Sequence, residues 1–122
     1  MSARELLETY LEGWRLGDPH LSLKAVTPDF RYDDPATGLI APDTFVQFVE
    51  DFKAAAAELN DGVVPSPFLV YRHKAVDETV TPHVCWCWWQ AGDTPMEGAA
   101  LVHYDETGVR FERLAYYAEP VG

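Results

Sequence analysis

At 122 residues the chain is of the length of one domain, long enough to bury most of its apolar surface without disulfides or a metal. Its 48% hydrophobic and 24% charged residues match an ordinary globular chain and exclude a disordered one. Nine basic against twenty acidic side chains leave a formal charge of -11, which repels phosphate backbones and anionic lipid and argues against nucleic-acid or membrane partners.

The start of the chain lacks the basic and continuous apolar regions of a signal peptide, and no run of about 18 apolar residues occurs, so a cytoplasmic chain is expected. Cys85 and Cys87 stand two apart on an extended segment and imply no disulfide framework.

Leu7, Tyr10, Leu11 and Trp14 recur at helical spacing after the possible cap Ser2, predicting a helix from Ala3 to Leu16 that Gly17-Asp18-Pro19 stops. Leu21, Leu23 and Val26 predict a short second helix ended by Pro28. Phe30, Tyr32 and Asp34 then alternate with Arg31 and Asp33, the pattern of a short strand that places Asp34 on its apolar face. After the loop Pro35-Ala36-Thr37-Gly38, Asp43 is expected to cap a long helix with the stripe Phe45, Phe48, Val49, Phe52 and Ala56. Four strands follow, Phe68 to Val76, Val80 to Gln90, Met96 to Tyr104 and Val109 to Tyr117, joined by short turns as an antiparallel meander. Helices first and strands last predict one α+β domain over residues 1–122.

Asp34 stands out because a carboxylate buried beside Phe30 and Tyr32 must be hydrogen-bonded or protonated, and desolvation suits it to a general base. The competing reading is a turn, with the carboxylate bonding the amides that follow Pro35. Tyr10 and Trp14, four apart on the inner helix face, offer a phenol donor and an aromatic wall, or simply core packing.

In His83-Val84-Cys85-Trp86-Cys87-Trp88-Trp89, alternation puts Trp86 and Trp88 on one face, where they could line an apolar pocket, and His83, Cys85, Cys87 and Trp89 on the other. His83, Cys85 and Cys87, even with His103, make a poor metal set, because same-face positions on a straight strand spread over about 13 Å. No metal and no cofactor is expected.

The order Tyr10, Gly17-Asp18, Phe30-Arg31-Tyr32-Asp33-Asp34-Pro35, Gly38, Phe45 and Phe48, then a meander ending in Leu114-Ala115-Tyr116-Tyr117, resembles the SnoaL-like polyketide cyclases and ketosteroid isomerases of the NTF2-like superfamily. The resemblance implies a cone-shaped α+β barrel, a curved antiparallel sheet covered by three N-terminal helices. It implies Asp34 as catalytic base and Tyr10 as oxyanion donor, whereas Ala100 stands where the family's second donor would be. Arg113, Ala115 and Tyr117 match its pocket-facing positions on the last strand, and Arg113 could pair with Asp34 or hold an anion.

The resulting expectation is a small, mostly apolar carbonyl-type ligand in a pocket of Trp14, Tyr32, Phe48, Trp86, Trp88, Arg113 and Tyr117, with isomerase or cyclase-type proton transfer. The alternative is a non-catalytic ligand-binding or interaction domain. A homodimer is expected through an outer sheet face carrying Cys85, Cys87, Trp89, Leu114 and Tyr116.

Overall fold

The computed structural model describes residues 1–117. The elements run α1 (Ala3–Leu16), α2 (Pro19–Leu23), β1 (Val26–Asp34), β2 (Gly38–Ile40), α3 (Pro42–Glu58), β3 (Leu69–Asp77), β4 (His83–Ala91), β5 (Glu97–Asp105) and β6 (Gly108–Tyr116). None of the helices is long and apolar enough to cross a membrane.

Local chemistry sets the helix ends. Ser2 and Glu5 form a reciprocal capping box at the start of α1, and Gly17 closes it with φ 69°, in the left-handed region that glycine enters without penalty. Asp18 caps α2, which stops at Leu23; Pro28 ends no helix and instead lies in β1. There the pairing with β6 shifts register between Val26 and Arg31, so the missing amide costs little. Asp43 falls inside the first turn of α3, where its charge favours the helix N-terminus; Ala41 is the cap position and makes no side-chain bond.

The six strands form one curved sheet in the order β2-β1-β6-β5-β4-β3. The meander β3 to β6 is antiparallel as expected. Beyond it, β1 pairs with β6 in parallel, and β2 folds back on β1 so that Asp34 faces Gly38, adding a strand where a loop was expected. The sheet does not close, leaving β2 and β3 as edges. The helices cover its concave face around a core of Leu7, Tyr10, Trp14, Phe30, Tyr32, Phe45, Val49, Phe52, Phe68 and Trp89.

Strand parity is the main departure from the sequence reading. Cys85, Cys87 and Trp89 point into the core, while Trp86 and Trp88 are 54% and 44% exposed on the outer face. Gly98 lies opposite Trp89 on β5, and a Cβ there would sit 2.8 Å from the indole, so only glycine leaves room for that ring inside. On β6 a bulge removes Arg110 from the pairing, since His103 opposes Phe111 and Tyr104 opposes Val109. Val109, Glu112, Leu114 and Tyr116 therefore face inward, and Arg113, Ala115 and Tyr117 outward. The outer face expected to carry Cys85, Cys87, Trp89, Leu114 and Tyr116 instead carries Trp86, Trp88, Leu101, Phe111 and Tyr117.

Candidate functional site

Asp34 is 2% exposed at the end of β1, and both of its oxygens are engaged. Oδ2 accepts from the amides of Ala36 and Thr37, each at 3.0 Å, and from Thr37 Oγ1 at 3.1 Å. Oδ1 accepts from the Tyr116 hydroxyl at 2.8 Å. The carboxylate thus ties the β1–β2 turn to β6, the turn-forming role, and lies on the buried face that alternation indicated. Burial, reinforced by the bond to Asp34, holds the Tyr116 phenol well above its ordinary range.

These groups border a cavity of about 210 Å³ lined by Asp34, Ala36, Thr37, Phe48, Asp51, Phe52, Ala55, Met96 and Tyr116. Phe48, Asp51, Phe52 and Ala55 recur at the three- and four-residue spacing that brings side chains to one face of α3. A wider, shallower depression of about 420 Å³ shares Ala36 and Tyr116 with it and adds Pro35, Leu114 and Ala115. The mouth of the cone is therefore an apolar recess with carboxylates at its edge.

Of the side chains expected to bind a ligand, Phe48 lines this cavity and the others stand elsewhere. Trp14 is buried among Tyr32, Phe45, Phe52 and Phe68 at ring separations of 5.6–6.5 Å. Tyr32 is buried behind Phe48, their rings 4.9 Å apart. Trp86, Trp88 and Tyr117 are outside, with Tyr117 packed 5.2 Å from Trp88. Arg113 pairs with Asp33 at 2.9 Å, not with Asp34, because both project from the outer face where β1 and β6 run side by side.

Tyr10 does not meet Asp34 either. Its hydroxyl donates to Glu112, a fully interior carboxyl that burial pushes up to about 8 against the opposing pull of that hydrogen bond. Burial first, and then the charge of Glu112, hold the Tyr10 and Tyr32 phenols well above their usual range. Beside them the Cys85 and Cys87 sulfurs lie 3.5 Å apart as free thiols. The sequence reading passed over Glu112 because strict alternation from Val109 puts it outside; Tyr116, Phe52 and Met96 were missed as cavity walls, the first for the same reason. A carboxylate directly after Phe111, two residues before Leu114, was the available signal.

No family model and no curated protein matches this chain. Solved structures do. A SnoaL-like protein of unknown function from Burkholderia thailandensis aligns with TM-score 0.64 at 10% identity, over 95% of this chain and 95% of its own. An NTF2-like protein of unknown function from Cytophaga hutchinsonii aligns with TM-score 0.61 at 10% identity, over 93% and 88%. A ketosteroid isomerase-like protein from Kribbella flavida aligns with TM-score 0.60 at 16% identity, over 98% and 82%. At such identities the likeness speaks for architecture and leaves activity to the site itself. Three helices laid over a curved, unclosed and mostly antiparallel sheet, matched along nearly the whole chain, give this protein the NTF2-like α+β fold.

Proposed function

We propose that this chain binds a small, mostly apolar molecule at the mouth of its cone. The observation that carries this is the cavity of about 210 Å³ between Phe48, Phe52, Met96 and Ala55 on one side and the Asp34–Tyr116 pair on the other. At roughly 30 Å³ per water molecule it holds the volume of about seven waters, room for one ring with a short substituent. Aromatic and thioether walls with a few polar groups at one end are the usual makings of a ligand pocket.

The polar end presents acceptors. The Tyr116 and Thr37 hydroxyls both spend their proton on Asp34, so a ligand carbonyl finds no free hydroxyl donor among the side chains lining the cavity, whereas a ligand N–H or O–H finds carboxylate lone pairs. This favours binding over the isomerase or cyclase reading, which needs a phenol free to donate to the substrate oxygen, whereas Tyr116 beside the carboxylate donates to Asp34 itself. Tyr10 is turned to Glu112, and Ala100 supplies no second donor.

Thermal-shift screening of ring-sized compounds tests the reading. A ligand should raise the melting temperature, by the equivalent of about 2.7 kcal/mol at a hundredfold excess over its dissociation constant. Ala55→Trp, which fills the recess from an exposed helical position, should abolish the rise. If no compound stabilises the protein, or the filled variant responds like wild type, the cavity is not a binding site.

The chain is also proposed to pair with a second copy through the outer sheet face. Trp86, Trp88 and Tyr117 form an exposed aromatic patch there, and such a patch in a soluble protein favours a covering partner.

A further inference from the structure

The cavity's charge is as distinctive as its shape. Two of its nine lining residues, Asp34 and Asp51, are acidic, and none is Lys, Arg or His. The cations of neighbouring strands and helices are directed elsewhere: Arg113 pairs with Asp33, and Lys53 donates to the Gly17 carbonyl. A whole-chain charge of -11 adds to the negative potential at the mouth.

Asp51 is solvent-exposed at the rim of the cavity. It borders the recess beside Phe48 and Phe52, on the flank of the apolar stripe of α3. Its Oδ1 accepts from Gln47 Nε2 at 2.9 Å, which steadies the side chain one turn along the same helix. Its second oxygen has no hydrogen-bond partner among the described residues, and Asp34 Oδ1, with Tyr116 as its single donor, retains a free lone pair. Two carboxylates with spare acceptor sites, two phenylalanine rings and a phenol border one space of about 210 Å³. Carboxylates and aromatic faces share one preferred guest, a cation carrying apolar groups.

We infer that the mouth cavity selects ligands bearing a protonated amine, with the ammonium at Asp34 and Asp51 and the apolar body against Phe48, Phe52 and Met96. The inference rests on the cavity being a binding site and adds the chemical class of what it takes. Asp51 becomes the specificity-determining residue: it contributes nothing to the core, and its charge separates amines from neutral compounds of the same shape. No covalent step is involved.

The test is an isosteric series measured by thermal shift and calorimetry on the full chain: benzylamine, benzyl alcohol and benzoate. Benzylamine should bind about tenfold more tightly than the alcohol, and benzoate should not bind, with the amine's advantage shrinking as salt is raised. Asp51→Asn keeps the size of the side chain and should lower the amine's affinity several-fold more than the alcohol's, removing most of that advantage. Equal affinities for amine and alcohol, each abolished by Ala55→Trp, would overturn the charge selection and leave the cavity reading standing. An unchanged amine preference in Asp51→Asn would overturn the role of Asp51, and binding of none of the three, with none in the wider screen, would overturn both readings.

Discussion

The Tyr10 hydroxyl on α1 donates a hydrogen bond to the carboxyl of Glu112 on β6, joining residues 102 positions apart in the middle of the core. The pair fastens the first helix to the strand that also receives β1, so the polar centre of the protein is structural as well as buried.

Glu112 should make stability fall as pH rises. Its folded value of about 8 lies above the ordinary 4.5, so the native state holds a proton that the unfolded chain releases. Below pH 4.5 both states carry it and there is no penalty; the penalty grows between about 4.5 and 8 and is complete above that. A displacement of this size amounts to roughly 4–5 kcal/mol. Glu112→Gln, which keeps an acceptor for Tyr10, should flatten the profile and exceed wild type in stability at pH 9. Urea unfolding from pH 5 to 9 measures this, and parallel profiles would show that Glu112 does not titrate in that range.

Tyr116→Phe should cost about 1–2 kcal/mol, since it removes one hydrogen bond to a buried carboxylate and leaves three. Asp34→Ala should cost more, about 2–4 kcal/mol, because it frees two amides and two hydroxyls at once and loosens the β1–β2 turn. Denaturant melts of both variants give the order, and a Tyr116→Phe loss larger than that of Asp34→Ala would contradict the central place given to the carboxylate.

Gly98→Ala should be among the most damaging single-methyl changes in the chain, about 2–3 kcal/mol. A Cβ at this position would lie 1.9 Å from the Ala115 carbonyl oxygen and 2.8 Å from the Trp89 ring. The backbone of β6 or the buried indole would have to shift, and the loss should show in melting temperature together with a red shift of tryptophan emission. A neutral outcome would mean that Trp89 does not lie over Gly98.

The paired substitution Trp86→Glu with Trp88→Glu should convert the proposed homodimer to a monomer in sedimentation at micromolar concentration, with the fold intact, because both indoles are on the outer face. A wild-type monomer under the same conditions would remove the dimer.

The sequence by itself determined the elements whose causes are local. Ser2, Glu5 and Gly17 delimit α1 at the bounds that helical spacing indicated, the stripe from Phe45 to Ala56 defines α3, and short turns separate the four strands of the meander. Alternation also put Asp34 on the buried face of β1, because period-two patterning is a property of neighbouring residues.

Tertiary structure alone decided the rest. The parallel pairing of β1 with β6 joins segments some eighty residues apart, and nothing within either strand states its partner. Parity along β4 was open because Val84, Trp86 and Trp88 are as apolar as Cys85, Cys87 and Trp89; space over Gly98 on the adjacent strand chose the second set. One bulge at Arg110 then turned Glu112 and Tyr116 inward, which brought Tyr116 to Asp34 and left Tyr10 to Glu112. A one-residue slip moves every later side chain to the opposite face, so the identity of the site depended on a cross-strand fit that no single segment encodes.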